Sequence, residues 1–319
     1  LGNSLQKYFL ADSRFQATAL LLQERIPEFP ISTVHSATHP EFTGSLTASD
    51  ESFRVYKNGR SVTPEVQLLS NGRYHVMITN SGGGYSRWKD LALTRWREDP
   101  TLDDWGSFCY FKDISSGEYW PVAPGPGRPA GRDYETVFTE GRAEFHTRDG
   151  DYDLHTDIVG SPEDDVEIRR IKITNRSRAA SRTVELTAYA EIALARQNDD
   201  DAHPAFSKLF VNTEITPKAI FGHRKPKDEN EETPWLLHTV AVRGLEAELS
   251  FETDRLAFIG RGRTASDPLA LTGSGPLAGG QGWVLDPALA SRCRLTIEPE
   301  KTVTVDFITG IAPGRREAE

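Results

Sequence analysis

The sequence predicts an all-β protein: a large antiparallel two-sheet β-sandwich with a short N-terminal helical segment. Three observations predict it. Period-two alternation of apolar and polar residues begins near residue 51 and continues almost to the end. Turn pairs such as Asn71-Gly72 and Asp149-Gly150 interrupt that alternation at hairpin spacing. Helical periodicity is concentrated in the first thirty residues and nearly absent afterwards.

In chain order, "LQKYFLADSRFQATALLLQERIP" carries Leu5, Phe9, Phe15, Ala19 and Leu22 at roughly helical spacing and ends at Pro27. Residues 28–50 are rich in Pro, Ser and Thr and lack periodicity, so residues 1–50 divide off as a helix and linker. The sandwich domain is expected over residues 51–319. Within it, "RYHVMIT" follows Asn71-Gly72, and "RAEFHTRDGDYDLHTDIVG" forms two runs about Asp149-Gly150. "RTVELTAYAEIALA" places Val184, Leu186, Ala188, Ala190, Ile192 and Leu194 on one face of a long strand. "HPAFSKLFVNTEI", "WLLHTVAVRG", "AELSFET", "SRCRLTIEP" and "KTVTVDFITGIA" continue as strands. Residues 222–234 are expected to form a charged loop and residues 266–282 a glycine-rich one. Many antiparallel strands favour a sandwich over a barrel.

Composition excludes several classes of function. A chain of 319 residues with 37% hydrophobic and 26% charged content has the balance of a globular protein. Its net charge of −10 opposes nucleic-acid binding, which needs clustered Lys and Arg facing phosphates. No apolar run is long enough to span a membrane, and the N-terminus lacks a signal-peptide pattern. Cys109 and Cys293 each sit in an alternating apolar stretch, where cysteine behaves as a small buried hydrophobe, so a disulfide is not expected. The absence of an initiator Met and the ending "GRREAE" suggest a piece of something longer.

Residues 68–99, "LLSNGRYHVMITNSGGGYSRWKDLALTRWRED", carry the chemistry that needs explaining. Gly82-Gly83-Gly84 precedes a strand, not a helix, so it lacks the helix N-terminus of a phosphate cradle. A turn with positive φ angles is one reading. Another is close approach of a ligand to the backbone, with Tyr85 and Trp88 as platforms. Sugars present apolar C–H faces and hydroxyl edges, so aromatic planes beside Arg and Asp suit a carbohydrate surface. The candidate binding residues are Tyr85, Arg87, Trp88, Arg95, Trp96 and Arg97, although alternation sends some of the aromatics of this region to the core. "ARQNDDDAHPAF" lacks the spacing of a metal site and is expected to be a solvated loop. "DGDYD" at 149–153 fails as a calcium loop, because Leu154 stands where glycine is needed and Gly160 where glutamate is needed. No GxSxG is present, and two catalytic carboxylates cannot be chosen among 47 acidic residues.

The stretch from residue 68 through "WGSFCYFKDISSGEYWPVAP" resembles the opening of the cellobiose-phosphorylase family of glycoside phosphorylases. It is most similar to the version in the C-terminal part of cyclic β-1,2-glucan synthases. "LLLQERIP", "DVEIRRIKITNRS", "ELTAYAEIALA", "HPAFSKLFV" and "FIGRGR" extend the resemblance over most of residues 20–312. It implies a β-supersandwich, followed in such enzymes by a helical linker and an (α/α)6 barrel that holds the general acid and the phosphate site. The expected role is therefore a non-catalytic accessory domain of a glycosyltransferase or glycoside phosphorylase-like enzyme. No catalytic residue carries over, no cofactor or metal is implied, and the piece alone is expected to be inactive. The implied partners are a β-glucan or oligosaccharide and the downstream barrel of the same chain. A free carbohydrate-binding module, or a structural or dimerising sandwich that never touches sugar, are the competing readings. A sandwich that docks on a barrel hides apolar area, so alone it is expected to expose an apolar patch or to form a homodimer through it. The resemblance also implies a soluble domain on the cytoplasmic side of an inner-membrane protein.

Overall fold

The computed structural model describes residues 53–57, 61, 63–127, 132–226 and 233–319, all within the compact unit Leu46–Glu319. The N-terminal helix and linker expected over residues 1–50 lie outside the described residues.

Among the described residues, eighteen strands form two nine-stranded antiparallel sheets. The first sheet runs in the order β1 (Arg54–Lys57), β8 (Asp133–Thr139), β9 (Arg142–Asp149), β10 (Tyr152–Gly160), β11 (Val166–Asn175), β18 (Thr302–Ala312), β15 (Trp235–Arg243), β14 (Ala219–Arg224) and β13 (Val211–Ile215). The second runs β16 (Glu248–Asp254), β17 (Pro287–Ile297), β12 (Arg182–Arg196), β5 (Leu91–Thr94), β4 (Gly84–Trp88), β3 (Tyr74–Thr79) and β2 (Val66–Ser70). There β6 (Phe108–Asp113) pairs with β12 and β7 (Tyr119–Pro121) pairs with β6. The two expected hairpins are present: Gly72 at φ +88° joins β2 to β3, and Gly150 at φ +53° joins β9 to β10.

The main core lies between the sheets. Val184, Leu186, Ala188, Ile192 and Leu194 of β12 enter it, as their spacing predicts, with Phe111, Phe145, Ile171 and Phe307. Yet β12 is buried from Val184 to Ala195, including Glu185, Thr187 and Glu191 on the alternate face. A second apolar cluster explains this: Phe108, Tyr110 and Tyr189 on the outer face of the second sheet are covered by Phe258, Ile259 and Leu271. A strand covered on both faces loses the one-sided pattern. The cover is pinned by cations as well as by packing. Arg292 donates to the carbonyls of Ala270 (2.7 Å) and Gly275 (2.8 Å), and Lys112 donates to those of Leu271 and Gly273. Residues 266–282 are thus a tethered flap with a short helix at Leu269–Thr272.

Polar groups also cross between the sheets. Ser86 on β4 donates to Glu167 on β11 (2.8 Å), and His238 on β15 bridges Thr309 (2.9 Å) and Ser291 of β17 (2.7 Å). Burial, helped by Arg169, pushes the His238 imidazolium pKa down to about 4, so the bridge is neutral at ordinary pH.

Two local expectations are corrected. Residues 203–210 do not continue as strand: Pro204 opens a short helix, Pro204–Lys208, and the strand begins only at Val211. Gln197–Ala202 is a helix rather than a solvated loop, and its Asp200 is buried. The segment 222–234 begins inside β14, which ends at Arg224. Among the described residues no helix is long and apolar enough to cross a membrane.

Candidate functional site

The triple glycine is a buried turn, not an exposed lip. Gly82 (φ +91°) and Gly84 (φ +135°) adopt conformations that L side chains resist. Crowding adds to this. A Cβ at Gly84 would collide with the Met77 carbonyl, and one at Gly83 would lie 2.8 Å from the Trp105 carbonyl oxygen. Gly84 N–H donates to that same carbonyl (3.2 Å), which fastens the turn to residues 103–106.

From this turn β4 alternates, and alternation separates the candidate residues. Ser86 and Trp88 face the first sheet, whereas Tyr85 and Arg87 face away from it. Trp88 packs half-buried against the main core and donates its indole N–H to Asp165 (2.7 Å), with Lys89 4.0 Å above the ring. Tyr85 and Trp88 therefore do not form one platform. Tyr85 instead meets Trp96, with ring centroids 5.7 Å apart and planes inclined at 54°. Arg97 is exposed and lies over Trp105, 5.3 Å from its centroid. Arg87 is exposed and donates to the Lys89 carbonyl (2.8 Å).

Arg95 is not a surface residue. Its Nε and Nη2 clasp both oxygens of Asp200 (2.8 and 2.9 Å) and its Nη1 reaches Glu191 (3.3 Å), all three side chains being buried. Burial alone would raise the Asp200 carboxyl, but the Arg95 fork overrides it and holds the pKa below the usual carboxylate range. Arg255 Nε adds a 2.6 Å bond to Glu191, and Lys208 pairs with Asp286 (2.6 Å).

The outward group is thus Tyr85, Trp96, Arg97 and Trp105, with Asp104 beside them in sequence. Burial, helped by Asp99, raises the Asp104 carboxyl pKa above its usual value. Three aromatic rings, a cation and a carboxyl are groups of the kind that stack on sugar C–H faces and hydrogen-bond hydroxyls. Trp105 was absent from the candidate residues. Its signal was Gly106, a close-approach glycine whose Cβ would strike the Gly84 backbone nitrogen.

Sequence reasoning also did not locate an exposed apolar edge. Phe206 (62% exposed), Leu209 (48%), Leu256 (60%), Trp283 (58%) and Leu285 (77%) come from three segments. Asp286 joins those segments, through the Lys208 ion pair and by accepting the Arg255 N–H at its carbonyl (2.9 Å). Isolated apolar residues on a surface are ordinary, but these five sit on segments that Asp286 ties together.

The fold and this surface define an antiparallel β-sandwich domain with an aromatic outer face and an apolar edge. Residues 50–319 match the model of the glycosyl hydrolase 94 supersandwich domain, and the chain belongs to that family. It is 35% identical to the cyclic beta-(1,2)-glucan synthase NdvB of Rhizobium meliloti (strain 1021) over 98% of this chain and 11% of that protein. It is 22% identical to the N,N'-diacetylchitobiose phosphorylase of Vibrio proteolyticus over 80% of this chain and 32% of that protein. A crystal structure of a bacterial glucoamylase complexed with acarbose aligns with 84% of this chain and 37% of its own, at 9% identity and a TM-score of 0.44. The chain therefore spans only a minor part of the curated relatives it matches.

Proposed function

We propose that this chain is the non-catalytic accessory sandwich of a glucan-processing enzyme of the cyclic β-1,2-glucan synthase or glycoside phosphorylase type. It docks on a catalytic (α/α)6 domain of the same polypeptide and contributes Tyr85, Trp96, Arg97 and Trp105 to the rim of the sugar site. The observation that carries the docking role is the exposed edge of Phe206, Leu209, Leu256, Trp283 and Leu285. A catalytic domain is its fitting occupant, because most of the length of both curated relatives lies outside the matched part. The rim role rests on the outward Tyr85–Trp96 pair.

Two variants of the full-length enzyme test the two parts separately. Leu285→Asp should loosen domain docking, exposing new protease-sensitive sites and lowering activity, while leaving the melting temperature of the isolated chain within a few degrees. Trp96→Ala should weaken glucan binding about tenfold, since stacking on an aromatic face contributes on the order of 1 kcal/mol. Unchanged proteolysis in the first variant would refute docking at this edge, and unchanged affinity in the second would leave the sandwich a structural one.

A further inference from the structure

We propose that Glu144, His155 and Asp157, on the outer face of the first sheet, form a binding site for a divalent transition-metal cation of the Zn2+ type. The site follows from strand register. Glu144 on β9 stands directly opposite Asp157 on β10, and His146 stands opposite His155. Ala143, Phe145, Thr147, Leu154, Thr156 and Ile158 are buried, so alternation turns the intervening residues together to the outer face.

The donor atoms converge on one point. His155 Nε2 lies 3.1 Å from Asp157 Oδ1 and 3.5 Å from Glu144 Oε2, and one donor atom of each residue lies within 4.8 Å of the other two. A neutral imidazole has one N–H and can serve only one of these two oxygens well. A cation in place of that proton would serve all three donors. Metal bonds of about 2.0–2.2 Å from one nitrogen and two oxygens require only modest contraction of this set.

The remaining carboxylate oxygens are already held. Arg142 Nε lies 2.6 Å from Glu144 Oε1, and Lys172 Nζ lies 3.2 Å from Asp157 Oδ2. Each carboxylate thus has one oxygen engaged by a fixed cation and the other aimed at His155, the outer-shell arrangement that orients metal ligands. Glu144 and Asp157 side chains are only 16% and 15% exposed, which limits competition from water, while His155 at 34% leaves a path for entry. His146 is engaged by Asp153 at 2.8 Å and is not one of the three converging donors. One imidazole with two carboxylates suits Zn2+ or Co2+ better than Ca2+, which takes six to eight oxygens.

The test is calorimetric titration of the tag-free chain with Zn2+ in a non-chelating buffer, with Co2+ absorption as a second probe and circular dichroism confirming the fold. The expected result is one Zn2+ per chain with low-micromolar affinity. His155→Ala and Asp157→Asn should each weaken binding by roughly tenfold or more, and His75→Ala, on another strand, should not. Glu144→Gln carries the test if His155→Ala does not fold. The proposal is overturned by lack of saturable binding up to millimolar Zn2+, by equal affinity in the folded variants, or by Ca2+ binding as tightly as Zn2+.

Discussion

His238 should make the protein lose stability between neutral pH and about pH 4, through one identifiable proton. Its ring is fully enclosed, accepts or donates to Thr309 and Ser291, and has its pKa lowered to about 4 by burial and by nearby Arg169. The unfolded chain presents the same imidazole at its ordinary value of 6.5. A depressed histidine favours the native state above the unfolded pKa, because there neither state binds the proton. Below it the unfolded chain takes up a proton that the native state refuses, and the loss grows until the native pKa is reached. At about pH 5 the difference approaches one proton, a slope of about 1.2 kcal/mol per pH unit and roughly 2 kcal/mol between about pH 7 and about pH 5. Urea unfolding at several pH values measures this directly. His238→Gln retains a polar bridging group without an ionisable ring, so its unfolding free energy should be lower near neutrality but flatter across the window. His223, half-buried and also depressed by burial, contributes in the same direction and remains in both proteins. Equal slopes for wild type and His238→Gln would refute the assignment.

Two further predictions rest on buried groups. Burial pushes the Cys109 and Cys293 thiols up to about 12, so near pH 8 only about one in ten thousand is ionised; native protein should resist a thiol reagent that labels both in urea. Labelling at the rate of a free thiol without denaturant would show that they are accessible. Arg95→Leu leaves Asp200 buried without its guanidinium, and Glu191 with Arg255 alone, and should cost about 3–5 kcal/mol, whereas Arg95→Leu with Asp200→Asn should recover part of the loss. A small loss in the single variant by urea denaturation would mean that water replaces the pair.

The two-sheet architecture was legible because most strands keep one face for the core and one for solvent. The Asn71-Gly72 and Asp149-Gly150 turns were legible because they require local backbone geometry. What escaped was decided by distant chain. The flap of residues 266–282 looked like a glycine-rich loop because its fastening comes from Lys112 and Arg292, more than a hundred residues away in one case. Helix Pro204–Lys208 was mistaken for strand, and its Phe206, with Leu209 just after it, is exposed and not core. At the candidate site, residue type grouped Trp88 with Tyr85 and Trp96, but the opposite phase of β4 turns Trp88 inward. Arg95 was misplaced for a related reason. Its partner Asp200 is 105 positions away, and a single sequence does not reveal a buried pair at that separation.

That buried pair bears on how the aromatic face and the apolar edge are related. Arg95 is followed directly by Trp96, whose ring meets Tyr85 on the outward side. Asp200 belongs to the helix Gln197–Ala202, which is followed by Pro204–Lys208 and so by Phe206 and Leu209 of the edge. Glu191 links Arg95 to Arg255, which precedes Leu256, and Asp286 joins Lys208 to the segment carrying Trp283 and Leu285. Each of the three segments of that edge is therefore tied within a few residues to one charge network, and so is the strand end that presents Trp96. Several charges held largely out of water are a poor source of stability, since apolar side chains of the same volume would often serve as well. They do differ from apolar packing in directionality. The fork of Arg95 on Asp200 accepts one relative orientation of β5 and the helix, where a leucine pair would tolerate several. The physical consequence is that the rim and the edge are expected to move as one body, so a partner seated on the edge would meet the aromatic face at a fixed distance and angle.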